Sequence, residues 1–287
     1  MPEFISKLQY KNYEKGEFSD EKSRSIEETL QLIKSFPWDE QRGVDIQLTS
    51  PSVTIQDEYV NYLKVGLYFN GKFSIYYLDS DNHLYEYHAD NLDDVYKVVS
   101  DFFNLTLDLS PFEKHFFNIG NQKHFVNGDF TYQVELWRVI LLSSFFIVFF
   151  VMFAVFAILF ARTDAPFVVK SIFILLATLF ASLLVYIFKR YFMCSDQALE
   201  ISKGNSVFSL EDNNNNKRTY NKTDIKEIVM YAPGGGRNPN MFYVFEIYFK
   251  DGSVIKFSNM LISNITFQSK FSHDLIGLGK KNPLWML

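Results

Sequence analysis

From Ser25 to Phe36 apolar residues recur at helical spacing: Ile26, Leu30, Ile33 and Phe36. Ser25 and Glu28 form a capping box in front of them, and Pro37 cannot continue the run. The spacing predicts an amphipathic helix over 25–36. The period then changes to two. "VDIQL" (44–48) and "SVTIQ" (52–56) read as strands on either side of Ser50-Pro51. "YLKVGLYF" (62–69) and "KFSIYYL" (72–78) flank Asn70-Gly71, the strongest short hairpin signal, with Val65, Leu67 and Phe69 alternating on one face. "HLYEYHA" (83–89) follows a turn at Asp79–Asn82. Asn91 caps a second helix with Leu92, Val95, Val99 and Phe102 on its apolar side. Ser110 to Glu113 predicts a short helical turn. Asn127-Gly128 predicts a last hairpin, whose outgoing strand "DFTYQVELW" (129–137) leads into the next region. Residues 1–135 therefore read as an α+β domain, an antiparallel sheet packed against helices.

Two apolar runs follow. Val139 to Ala161 holds 23 residues without a charge, and Ser171 to Phe188 holds 18 more. A helix of the first length rises about 35 Å, against roughly 30 Å of bilayer hydrocarbon. Including Pro166-Phe-Val-Val, with Lys170 reaching toward a headgroup, extends the second run to a full span. A helix of a soluble core carries a polar stripe, and these show none. Residues 136–190 read as a transmembrane hairpin with spans at about 139–161 and 167–188, and "ARTDAPF" (161–167) as its tip. Neither run lies near the N-terminus, and the first 15 residues contain Lys7, Lys11, Glu14 and Lys15 in place of an apolar leader. Arg138, Lys189 and Arg190 flank the base of the hairpin, Arg162 and Lys170 its tip. This small bias, and the difficulty of passing a large N-terminal domain across a membrane without a leader, predict both termini in the cytoplasm. Multi-pass insertion in a bacterial inner membrane is the expected location, and the lone Cys194 is compatible with a reducing compartment.

Period two returns after the spans. "ALEIS", "SVFSLE", "KRTYN", "IKEIVMYA", "FYVFEIYF" and "SVIKFS" read as strands. Asp251-Gly252 closes a tight hairpin between the last two. Loops are signalled at Asn213–Asn216 and at Pro233–Pro239, and a helix from Asn264 through Leu275. Many strands followed by one helix describe a curled sheet plugged at one end. The segment "RTYNKTDIKEIVMY", then a long glycine loop, then "FEIYFKDGSVIKFS" with Asp251-Gly252, resembles the bacterial pleckstrin-homology (PH)-like domains. The resemblance covers residues 196–287 and rests on a pattern of strands and turns. It implies, for a domain at 191–287, a PH-like β-barrel with a capping helix, of a kind often found beside transmembrane hairpins. It does not imply phosphoinositide binding, because fold alone does not carry function.

Charge is unevenly spread. Residues 1–135 hold 12 Lys and Arg against 23 Asp and Glu, a net of −11. Residues 136–190 come to +4 and 191–287 to +2. An acidic N-terminal domain argues against nucleic acid and suits a basic protein partner. In "SFPWDEQR" (35–42), Trp38 reads either as a core plug or as an exposed anchor, with Asp39 and Glu40 beside it for such a partner. Lys217, Arg218 and Lys222 cluster near one loop and are the candidates for lipid headgroups.

His83, His88, His115 and His124 are dispersed, and "DSDNHLYEYHAD" lacks the glycine and terminal glutamate of an EF-hand. The Gly234–Gly236 loop lacks the lysine and following helix of a phosphate loop. Neither a catalytic grouping nor a cofactor or metal site is expected, and the spans lack the internal acid, His or Arg of an ion path. The expectation is a non-enzymatic integral membrane protein, a membrane-anchored protein-binding adaptor that meets the bilayer and a basic protein and that self-associates in one version. An immunity-type protein neutralising a toxin is its narrower form. The alternative is a lipid or envelope-stress sensor using the PH-like domain.

Overall fold

The computed structural model describes residues 2–43, 47–116, 119–212, 216–231 and 243–279. The chain divides into two units, Met1–Asp129 with Ser202–Asn205, and Phe130–Ile201 with Ser206–Leu287.

The first unit is a seven-stranded antiparallel sheet with two helices. In chain order it comprises β1 (Phe4–Gln9), β2 (Ser19–Arg24), α1 (Ile26–Ser35), β3 (Ser52–Gln56), β4 (Tyr62–Leu67), β5 (Phe73–Leu78), β6 (Leu84–Ala89), α2 (Leu92–Phe103) and β7 (Glu113–Lys114). The strand order is β2-β1-β3-β4-β5-β6-β7. Ser25 caps α1 as expected: its hydroxyl accepts from the Glu28 N–H at 3.3 Å, and the Glu28 carboxylate accepts from the Ser25 N–H at 2.9 Å. Asn91 caps α2 by accepting from the N–H groups of Asp93 and Asp94. One face of the sheet presents Val53, Ile55, Leu63, Val65, Leu67, Phe73 and Ile75 to Ile33, Val95, Val99, Phe102 and Phe103 of the helices. Asn70 and Gly71 both take positive φ, 54° and 82°, in the β4–β5 turn, as a hairpin of this kind needs. The strand ends at Leu67, so Phe69 opens the turn and is exposed.

Several expectations change here. The β1–β2 hairpin had no clear signal, because β2 reads SDEKSR, an edge strand of polar residues with no apolar alternation. Ser110–Phe112 form a turn that feeds β7 rather than a helix. Asn127-Gly128 makes no hairpin: the Gly128 N–H donates to the Gly16 carbonyl at 2.8 Å, tying the covering segments 10–18 and 121–128 together. Of "VDIQL", residues 44–46 lie outside the described residues, and Gln47–Ser50 form a turn. Ser202–Asn205 complete the unit. The Glu17 carboxylate accepts from the Ser202 hydroxyl at 2.6 Å and from the Gly204 and Asn205 N–H groups at 2.9 and 2.8 Å. A Cβ on Gly204 would lie 2.1 Å from the Tyr13 ring, so this close approach requires glycine.

The second unit holds β8 (Thr131–Gln133), α3 (Leu136–Ala161), α4 (Phe167–Cys194), β9 (Ala198–Glu200), β10 (Val207–Glu211), β11 (Lys217–Asn221), β12 (Ile225–Tyr231), β13 (Val244–Phe249), β14 (Val254–Ser258), α5 (Asn264–Gln268) and β15 (Ile276–Gly279). Two four-stranded sheets result, β11-β10-β9-β8 and β14-β13-β12-β15. They enclose Leu199, Phe208, Ile228, Phe245, Ile247, Phe257 and Phe267. Among the described residues no hydrogen-bonded pairing joins the sheets, so the predicted β-barrel is not closed. The predicted helix 264–275 is shorter than its apolar spacing suggested. α5 stops at Gln268, and His273–Leu275 form a separate turn before β15 pairs in parallel with β12. The loop Pro233–Pro239 and Asn213–Asn215 lie outside the described residues.

The boundary near residue 135 also moves. Thr131–Gln133 pair with β9 in the second unit, and Tyr132 and Val134 pack on its core. Cross-strand hydrogen bonds need a partner strand, and β8 finds its partner about 65 residues later, beyond both apolar runs.

Candidate functional site

α3 and α4 are long and apolar enough to cross a bilayer, over Val139–Ala161 and Phe167–Phe192. They pack through phenylalanines: Phe149 and Phe153 stack on Phe180, and Phe160 on Phe173, with ring centroids 5.4, 5.5 and 5.1 Å apart. Offset aromatic faces add dispersion and quadrupole attraction to this packing. Large apolar side chains such as Leu141, Val148, Leu175 and Val185 point away from the pair and are exposed. The two helices are inserted between strands that are hydrogen-bonded neighbours. Thr131 lies opposite Glu200, and Gln133 opposite Ala198. In effect β8 and β9 are one β-hairpin whose loop is the pair of long helices.

That arrangement orders the basic residues of the first β sheet of this unit. The row closest to the helices runs Gln133, Ala198, Glu211, Lys217. Lys217 is thus at the helix end of β11, and Arg218 one residue further on, while Lys222 lies beyond Asn221 at the opposite end. The three do not form one cluster. Lys217 donates to the Glu200 carboxylate at 2.7 Å, which holds its ammonium above the usual lysine range. Arg218 is exposed, and the Lys222 ammonium sits 5.6 Å from the Phe271 ring centroid.

The Trp38 corner resolves in favour of the core plug. Its ring is 7% exposed, lies 4.5 Å from Phe36 and 5.2 Å from Phe73, and its Nε1 donates to the Ile33 carbonyl at 2.8 Å. That carbonyl belongs to the last turn of α1, where backbone acceptors lack helical partners. A turn after Pro37, with the Gln41 N–H donating to the Pro37 carbonyl, folds the indole back onto it. Trp38 is therefore no exposed anchor. Asp39 and Glu40 remain exposed, with Asp39 paired to Arg42 at 3.0 Å.

A polar layer went unread in the sequence. The second face of the seven-stranded sheet carries Lys7 and Gln9 on β1, Ser52 and Thr54 on β3 and Lys64 on β4, all buried. Lys7, Thr54 and Lys64 lie side by side in one row. The Lys64 ammonium donates to Gln9 Oε1 at 2.8 Å and to the His124 carbonyl at 3.0 Å, between the rings of Phe18 and Phe125. Burial, and then the neighbouring charge of Lys7, push Lys64 down to about 7. Burial, Lys15 and Lys64 push His124 down to about 4. The hydroxyls of Ser52 and Thr54 have no hydrogen-bond partner among the described residues. The alternation Tyr62-Lys64-Gly66 does not say whether this face is covered. Irregular segments, among them those carrying Leu48, Phe18 and Phe125, bury it, and they have no periodicity to announce them.

The remaining histidines of the first unit are tied locally. His83 bonds Asp79 at 3.0 Å, His115 bonds Glu86 at 2.9 Å, and His88 stacks on Tyr68. The Asp79 carboxylate accepts the N–H groups of Asp81 and His83, so the acidic segment there is a self-capped turn. Among the described residues no group of three or more His, Cys, Asp or Glu is placed to hold a metal.

Residues 131–270 match the family model described as a PH domain. No curated protein and no solved structure matches the chain. The match starts at the first residue of β8 and ends just after α5, so it takes in both flanks of the long helices. Residues 131–270 are therefore a PH-like domain, and the two apolar helices lie inside it, between its first two strands.

Proposed function

We propose that the chain is a membrane-anchored, non-enzymatic adaptor that binds a basic protein partner through its acidic first unit. The insertion of the two apolar helices between β8 and β9 carries this reading, because it ties one folded domain to the bilayer by two short chain connections. The −11 net charge of residues 1–135 supports the choice of partner, since such a field accelerates encounter with a cationic surface. Asp39 and Glu40 belong to that acidic surface. The narrower form, an immunity protein that neutralises a toxin, and self-association through the hairpin are both compatible with the exposed faces. A lipid-sensing role is the second reading, favoured by Lys217 and Arg218 on the part of β11 closest to the helices. It expects binding to anionic vesicles to fall when both are replaced by Ser.

In this proposal both termini are cytoplasmic and the tip at Arg162–Pro166 faces the periplasm of a bacterial inner membrane. In a chain with Cys194 replaced by Ser, a Thr163→Cys substitution labels in intact cells with a membrane-impermeant thiol reagent, and Val60→Cys does not. The reverse pattern inverts the topology. Extraction from membranes by high salt or carbonate, without detergent, refutes spanning. Capture of the chief partner that is insensitive to salt refutes the electrostatic part of the reading, since exposed charges act over about 8 Å at physiological ionic strength.

A further inference from the structure

The register of the first unit brings several loops to one end of its sheet. Gln56, Tyr62, Leu78 and Leu84 form one row across β3, β4, β5 and β6. The loops 57–61 and 79–83 leave the sheet from that row, and the Ser80 N–H donates to Asn61 Oδ1 at 3.1 Å, joining them. The His115 N–H donates to the Leu84 carbonyl, so the chain after β7 leaves from the same row. Phe103 stacks on Phe4 at 4.5 Å, and Phe4 precedes Ile5, which pairs with Gln56. The C-terminal end of α2, and Leu105 after it, therefore belong to this end too.

Apolar side chains stand exposed here. Tyr59 is 64% exposed and Leu105 60%, and Val60 and Phe116 are exposed as well. Two of them hold strained backbone: Val60 has φ of 64° and Leu105 of 58°. A β-branched residue rarely takes the left-handed region, where Asn or Gly carries little or no strain. Strain of this kind clusters where a surface is shaped for a ligand. Local fold requirements do not call for Val or Leu at these positions. The Asp57 carboxylate already holds its loop through the N–H groups of Tyr59 and Asn61.

The two loops carry charge of one sign. Loops 57–61 and 79–83 hold Asp57, Glu58, Asp79 and Asp81 and no Lys or Arg. Glu58 and Asp81 are exposed. The cations of this end are engaged: Lys114 lies over the Tyr85 ring, and Arg24, opposite Phe4 on β2, is paired with Asp20. Carboxylates disfavour an anionic bilayer and favour a cationic group beside an apolar one.

We propose that this loop end of the seven-stranded sheet, with Tyr59, Val60 and Leu105 at its centre and Glu58 and Asp81 at its rim, is the docking surface for a cationic, amphipathic segment of a partner protein. The inference rests on the adaptor reading and names the surface that would perform it.

The test uses the full chain in nanodiscs of neutral lipid, with empty discs as reference, and a synthetic amphipathic Leu/Lys peptide as probe. A Leu/Glu peptide of the same pattern and anionic vesicles are the comparisons. The expected result is selective binding of the Leu/Lys peptide, weakened by salt. The triple variant Tyr59→Ser, Val60→Asn, Leu105→Asn reduces affinity about tenfold or more, on the order of one hot-spot contact. Its melting temperature does not fall, because Asn relieves the left-handed strain. Glu58→Lys with Asp81→Lys produces a similar loss, and neither side chain holds its loop in a hydrogen bond. Wild-type affinity in both variants overturns the surface while leaving the adaptor reading in place, the peptide then being held elsewhere. Equal binding of the Leu/Glu peptide, or preferential uptake by anionic vesicles that the triple variant abolishes, overturns the cationic-protein assignment. Absence of peptide binding overturns the surface; only salt-insensitive partner capture by the chain reaches the adaptor reading itself.

Discussion

Replacing Lys64 by Met removes the titrating group of the buried polar layer and should erase one part of the pH dependence of stability. Lys64 ionises at 10.5 in an unfolded chain and at about 7 in the folded one. Its folded value is depressed, so between those limits the unfolded state binds the extra proton and stability rises with pH. Each tenfold weakening of proton binding corresponds to about 1.36 kcal/mol, so the whole difference is on the order of 5 kcal/mol, as an upper bound for a fully buried group. Between pH 7 and 9 the two-state expression gives a gain of about 2 kcal/mol in the wild type. His124 titrates lower, near 4 when folded, so its contribution is complete before this window opens. Tyr76 and Tyr77 are raised by burial, and their effect begins only near pH 10. Met keeps the length and apolar stem of Lys64 but leaves Gln9 Oε1 without its donor. That loss, about 1–3 kcal/mol, displaces the curve vertically and leaves its slope alone. The assay is urea unfolding in mild detergent, followed by the fluorescence of Trp38, with Trp137 and Trp285 replaced by Phe. From pH 7 to 9 the wild type should gain about 2 kcal/mol more than Lys64→Met, whose residual slope comes from Lys7 and Lys15, amines that burial also lowers. Equal slopes in the two chains would refute the buried, near-neutral lysine.

Two further outcomes concern the second unit. A chain in which residues 136–194 are replaced by a short Gly/Ser linker, joining β8 to β9, should fold as a soluble domain over 130–279 with a single cooperative melt. Residues 191–287 alone lack β8 and the packing of Tyr132 and Val134, and should melt lower or without cooperativity; equal melting of the two removes β8 from the domain. Gly252→Val should lower stability by roughly 1–2 kcal/mol, because φ there is 85°. A Cβ meets nothing within 4 Å at that position, so an unchanged melting temperature would show that the backbone conformation, not space, has been misjudged.

The amino-acid order by itself determined what depends on neighbours along the chain. The capping box at Ser25, the cap at Asn91, the turns at Asn70-Gly71 and Asp251-Gly252 and the two apolar runs all act over a few residues. Each is therefore written where it operates. The strand pattern after the runs was also sufficient to show the PH-like resemblance. What the tertiary structure decided is what depends on partners distant in sequence. β8 looked like the last strand of the first domain because its apolar alternation does not name its neighbour, which lies across both long helices at β9. Trp38 read as either plug or anchor because the carbonyl that holds it becomes available only when α1 ends and the chain turns back. Lys217 and Lys222 looked like one patch at five residues' separation, and the strand between them carries them to opposite ends of the sheet. The burial of Lys64 was not legible because period two marks two faces without saying whether the second is covered. Local signals specify torsion angles and faces; burial and pairing depend on which remote segment arrives, and only packing in three dimensions sets that.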